Sequence, residues 1–250
     1  MESNLSVRHF SKYQNNQIVF YGDIFGFKQC METIEKNGNY VNDTNGKTFI
    51  NLDTLYEAEV YKIDERINAS GVNFIWLSDS FAYACAVTKW NKLKEKLFTF
   101  INFLWSCDFI FSGALAFGNL HNGKNIMGAT FVKAVTTQEL CHSPEIIIDS
   151  SFQNQSILSE DEVYKNEDSK ICFDYIFGML KMDGYEKHKT GFQCLYSLCS
   201  NEINNSNERI RNKYKCMVKM VVQAIEKLKI SSLEMDQLKK QFQCLIVENK

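Results

Sequence analysis

Two aspartates stand in settings where a carboxylate must be accounted for. Asp23 ends the apolar core of "IVFYGDIFGF" (18–27), and Asp79 sits in the middle of "VNFIWLSDSFAYACAV" (72–87). Each is ordinary taken alone, because aspartate forms turns and caps helices. A sheet that sets the first strand beside the following hairpin would make the two converge. Converging carboxylates are hard oxygen donors suited to Mg²⁺ or Mn²⁺. Two such ions can clamp the attacking oxygen and the leaving phosphate of an in-line displacement. The "IFGF" segment adds Gly26, which lets backbone N–H groups approach phosphate oxygens where a helix begins.

The surrounding pattern supplies elements that would hold these residues. "QIVFYGD" reads as a strand, and "KQCMETIEKNG" as a helix with Met31 and Ile34 one turn apart. Residues 38–70 are rich in Asn, Asp and Lys and read as an insertion with one helix near 53–67. The two β-rich runs around "SDS" form a hairpin. Trp90, Leu93, Leu97, Phe100, Ile101 and Leu104 recur at helical spacing, which predicts an amphipathic helix over 89–106. "FIFSGALAFGNL" resumes strand, "NGK" turns it, "MGATFVKAVTTQEL" suits a helix and "PEIIID" a further strand. This alternation predicts an α+β, ferredoxin-like βαββαβ sheet over 1–150. Residues 151–250 read as a mainly helical C-terminal extension packed on the same domain. In it "SKICFDYIFGML" suits a strand or a short helix, 201–208 a loop, and Tyr214, Met217, Val218, Val221, Ile225 and Leu228 one helical face.

Composition narrows the classes. A formal net charge of -2 over 250 residues, with no clustered basic stripe, disfavours a nucleic-acid partner, although a single nucleotide needs no such stripe. Nine scattered cysteines without a CxxC pair read as reduced core thiols of a cytoplasmic protein. No apolar run approaches membrane-spanning length, and the N-terminus lacks the layout of a signal peptide. His121, in the polar "NLHNGK", reads as a bystander. Cys141 and His142 are adjacent, so their side chains point apart and make a poor nucleophile–base pair.

The blocks "FYGDIFGF", "LSDSFAYA", "SGALAFGNL" and "MGATFVKA" followed by "PEIIID" resemble, in order, those of the class III nucleotidyl cyclases. The likeness is greatest to the bacterial Pycsar pyrimidine cyclases of anti-phage defence, whose later block resembles "KICFDYI". This resemblance implies a cyclase catalytic fold and a metal site of Asp23, Asp79 and the Ile24 carbonyl, holding two divalent cations, Mn²⁺ or Mg²⁺. It also implies Phe25, Gly26 and Phe27 as phosphate-facing backbone, and a head-to-tail homodimer with sites at the interface. The product would be a cyclic nucleotide, cUMP or cCMP, sensed by a separate effector protein.

Departures from the purine enzymes bear on the substrate. Ile75, four residues before Asp79, replaces the charged base-reading residue of purine cyclases, and Asn125, three before Gly128, offers both donor and acceptor to a pyrimidine edge. Asn125 also reads as a turn residue beside "NGK". The asparagine and arginine of purine cyclases are replaced by Val132 and Thr136, and the arginine that often opens the strand in the pyrimidine cyclases is replaced by Ser112, which removes another candidate cation. A transferring phosphoryl group needs a cation, which leaves Lys133 as the nearest substitute and Lys124 as the second, each also readable as a solvated surface lysine. Three classes compete: an active pyrimidine cyclase, a catalytically impaired cyclase-fold protein that binds a nucleotide or partner, and another palm-like enzyme such as a diguanylate cyclase relative. The absence of a "GGDEF"-like hairpin disfavours the third.

Overall fold

The computed structural model describes residues 14–28, 32, 71–122, 126–229 and 232–247. The expected helix after Phe27 lies almost wholly outside them, as do the insertion at 38–70 with its helix, Cys30, Lys124 and Asn125.

Strand β1 (Gln14–Ile24) lies between β3 (Ser80–Ala86) and β4 (Phe111–Asn122), antiparallel to both. β2 (Val72–Leu77) pairs with β3 across a two-residue turn in which Ser78 takes φ 59°, the positive φ that tight hairpin turns favour. The order β4-β1-β3-β2 is ferredoxin-like. Helix α1 (Trp90–Ser106) joins β3 to β4, within a residue of the helix that periodicity predicts. A short β5 (Ile126–Met127) pairs with the end of β4, and helix α2 (Ala129–Gln138) follows.

β6 (Ile146–Ile148) then runs parallel to β4, and after a single helical turn, α3 (Ser150–Gln153), the chain adds strands β7 (Val163–Lys165) and β8 (Ile171–Phe173) to the same sheet. The "KICFDYIFGML" segment is therefore both things in turn: β8, then helix α4 (Tyr175–Asp183) capped by the Asp174 carboxylate. Helices α5 (Tyr185–Glu202), α6 (Glu208–Leu228) and α7 (Leu233–Val247) complete the chain. Among the described residues no helix is long and apolar enough to cross a membrane.

Strand alternation divides the apolar residues between two faces. Ile18, Phe20, Phe81, Tyr83 and Phe111 join α1 and the C-terminal helices in one aromatic-rich core. α1 forms because its apolar residues make a stripe wide enough to face both the sheet and the helices behind it; Trp90, Leu93, Leu97, Phe98, Ile101 and Trp105 are all buried. The other face carries Val19, Ala82, Ala84, Ala116 and Leu120, over which α2 lays Phe131 and Ala134. Its small alanines leave a shallow floor.

Candidate active site

Register assigns Asp23 its place. On β1 it stands opposite Ser80 of β3 and Ser112 of β4, in the row beyond Ala82, Tyr21 and Ala114. Two residues per pleat therefore put Asp23 on the alanine-lined face, at the end of the strand. Asp79 arrives by a different route. It lies past the end of β2, and its backbone carbonyl accepts a 2.7 Å hydrogen bond from the Ile24 N–H. That bond staples the hairpin turn to the end of β1, so residues 56 apart in sequence (79 − 23) become neighbours. Ser80 Oγ donates to Asp79 Oδ1 at 3.3 Å.

The two acids feel one another. Burial and then the negative charge of Asp79 hold the Asp23 carboxyl above its ordinary range, against the pull of Lys213. Burial likewise raises the Tyr21 hydroxyl, with Asp23, Asp79 and Glu139 adding to it and a hydrogen bond with Ser80 opposing it. A divalent cation would relieve this repulsion, and carboxylate oxygens are its natural ligands. The pair fits such an ion. It remains a pair, since no group of three or more His, Cys, Asp or Glu side chains disposed to hold a metal occurs among the described residues.

The loop after Asp23 differs in one respect from the sequence reading. The Phe25 N–H donates to the Ile110 carbonyl at 2.9 Å, so that amide is already engaged and does not face a phosphate. Gly26, at φ 78° with open space around it, and Phe27 open the helical turn that follows, where the first N–H groups have no intrahelical acceptor.

Ile75 stands opposite Ala82 on the Asp23 face and packs half-buried against the alanine floor. Strand alternation does not extend from it to Asp79, which belongs to the turn. Ser112 is fully buried, and its hydroxyl accepts a 2.8 Å hydrogen bond from Gln138 of α2; an arginine there would displace that packing. Lys133 lies on the exposed side of α2 and forms no ion pair with either aspartate. His121 pairs with Met127 at the opposite end of β4 from Ser112. The eight cysteines among the described residues form no disulfide with one another. Burial raises the Cys141 thiol, which lies against the Ser143 carbonyl at 3.3 Å, as expected of a structural rather than a nucleophilic thiol.

Sequence reasoning missed Lys213. From α6, its Nζ lies 3.3 Å from the centroid of the Phe25 ring, close enough to Asp23 for each charge to act on the other. No local signal marks it: in "ERIRNKYKCMVKM" a basic residue off the apolar stripe reads as solvated.

No family model matches the chain, and no curated protein matches it. A solved structure of a bacterial light-regulated adenylyl cyclase is similar, with TM-score 0.41 and 12% identity over 64% of this chain and 52% of that one. The match thus spans about half the length of that protein.

Proposed function

We propose that this chain is a nucleotide cyclase, converting a pyrimidine ribonucleoside triphosphate, UTP or CTP, into its 3′,5′-cyclic monophosphate and pyrophosphate. The observation that carries this reading is the Ile24–Asp79 staple, which sets two mutually repelling carboxylates at one end of the sheet. In the reaction the ribose 3′-hydroxyl gives up its proton to solvent, its oxygen forms a bond to the α-phosphorus, the bond from that phosphorus to the β-bridging oxygen breaks, and pyrophosphate departs with the electron pair. Asp23, Asp79 and the Ile24 carbonyl would hold Mn²⁺ or Mg²⁺. Such ions acidify the hydroxyl and neutralise charge on the phosphates.

The chain's own residues do the positioning. The N–H groups at Gly26 and Phe27 receive phosphate oxygens. Ile75 and the alanines behind it offer the base an apolar slot with no charged group to read a purine, which favours a pyrimidine. Lys133 serves the site of a second copy in a head-to-tail homodimer: it is exposed next to Val132, on the helix that follows Met127, and these apolar residues are left 57% and 47% accessible. Cytoplasmic defence signalling through a separate effector completes the reading and rests on the sequence resemblance alone.

One observation favours a second reading. Within one chain no cation of α2 touches the aspartates, as befits a catalytically impaired nucleotide-binding module. Incubation with each of the four ribonucleoside triphosphates and Mn²⁺, with products identified by mass spectrometry, separates the two. A cyclic pyrimidine monophosphate supports the enzyme and names its base. Nucleotide binding without product supports the second reading.

A further inference from the structure

A cavity of about 790 Å³ opens between α6, the 142–145 loop and the β7–β8 edge, and Lys213 and Arg209 both line it. Arg209 precedes Lys213 by one helical turn, so their charges stack on one face of α6, an arrangement that destabilises a helix. Two other cations of this helix are compensated, Lys219 by Glu167 at 3.2 Å and Lys227 by Asp174 at 3.0 Å, whereas Lys215, which also lines the cavity, forms no ion pair among the described residues. Arg209 and Lys213 form no ion pair among the described residues, although Lys213 is half-buried.

The acids that line the cavity pair with neither Arg209 nor Lys213. Buried Glu145 accepts hydrogen bonds from Ser143, from Tyr164 at 3.1 Å and from Asn166 at 2.9 Å. Asp168 lies 3.6 Å from Lys170, and Glu208 occupies the first turn of α6, where the helix dipole favours it. Two positive charges thus line the cavity, and none of the acids in its wall forms an ion pair with either of them.

We infer that Arg209 and Lys213 form an anion subsite in the same chain as Asp23, taking the β- and γ-phosphates of a nucleoside triphosphate and the pyrophosphate that leaves. The inference rests on the proposed function for the ligand's identity. Lys213 joins the two regions, its ammonium lying over Phe25, two residues beyond Asp23, while its side chain lines the cavity. A phosphate chain running from the aspartates past Gly26 would meet Lys213 and then Arg209. Burial and the Arg209 charge push the Lys213 ammonium down to about 8, a penalty that a bound polyanion removes. Arginine suits bidentate phosphate binding and lysine acts as a point charge.

Calorimetric titration of the full chain with inorganic pyrophosphate in EDTA tests this without catalysis or metal. The wild type is expected to bind, with affinity reduced at least about tenfold in Lys213→Met and in Arg209→Gln. Lys213→Arg is expected to keep binding, and so is Lys181→Gln, which removes an exposed cation already paired with Asp161. Melting curves establish that the variants are folded. Absence of pyrophosphate binding to the wild type, or equal affinity in the Met and Gln variants, overturns the subsite. If the chain binds pyrophosphate through these residues but makes no cyclic nucleotide, the subsite stands and the enzyme reading falls. If cyclic product forms while neither substitution alters pyrophosphate affinity, the subsite falls and the enzyme reading stands.

Discussion

At the scale of single residues the site depends on backbone conformation as much as on carboxylates. Gly26 takes φ 78°, where an L side chain is strained, yet a Cβ there would meet nothing within 4 Å. The cost of a side chain is therefore conformational rather than steric. Gly26→Ala is expected to cost about 1 kcal/mol. For a domain of this size that lowers the melting temperature by roughly 2–4 °C. Gly26→Asn, which tolerates the left-handed region better, is expected to cost less. Equal melting temperatures for all three chains would contradict a conformational cost. Asp23 and Asp79 were legible in sequence because each interrupts an apolar β-rich run. The Phe25 amide and Lys213 were not, because an amide's partner depends on the 110 loop and a lysine's on where its helix docks.

At the scale of elements, the pairing of β1 with β4 depends on a contact between two glycines. Gly22 and Gly113 are register partners, and their missing side chains make room for the rings of Phe81 and Phe20. A Cβ on Gly22 would stand 2.6 Å from Phe81 Cζ, and one on Gly113 would stand 2.8 Å from Phe20 Cε2. Phe81 cannot step aside, since it is packed among Phe20, Phe100 and Phe111. Gly22→Val is expected to destabilise by about 1–3 kcal/mol. Trimming the ring with Phe81→Leu should cost less in the Gly22→Val background than in the wild type, which a double-mutant cycle by urea unfolding reads directly. Additive costs would mean that the ring and the glycine do not compete for the same space.

Long periodic elements were legible for the same physical reason that they are stable: α1 and α6 each bury one coherent stripe. β7 and β8, with three residues each, and α3, with four, are too short to carry a period. α5 escaped notice because its buried Phe192, Leu195, Leu198 and Cys199 sit within a polar stretch.

At the scale of the whole molecule, the C-terminal helices share their core with α1 and the sheet. Phe98 stacks on Phe173, Trp105 packs on Phe192, and the 2.6 Å pair between half-buried Lys94 and buried Glu162 ties α1 to the segment before β7. This arrangement gives stability a pH dependence set far from the site. His188 is 2% exposed, and Nε2 lies 3.0 Å from Asp183 while Nδ1 has no hydrogen-bond partner among the described residues. Burial lowers its pKa, assisted by Lys187 and opposed by Asp183. Below the ordinary value of 6.5 the unfolded chain therefore binds more protons than the folded one, and stability falls as pH drops. His188→Gln is expected to flatten that acid limb in urea unfolding followed below pH 6.5; an unchanged limb would assign it to other groups. The order of strands was foreseeable from the alternation of β-rich and helical segments. The joining of β7 and β8 to the same sheet was not, because nothing in three-residue strands names their partners.

The central claim is that Asp23 and Asp79 hold divalent metal beside a nucleotide. The most direct test is Mn²⁺ binding followed by electron paramagnetic resonance, in the presence of a 3′-deoxy pyrimidine triphosphate that cannot cyclise. Nucleotide-dependent uptake of Mn²⁺ is expected, weakened at least about tenfold in both Asp23→Asn and Asp79→Asn with the fold intact. Uptake unchanged by either substitution would contradict the claim.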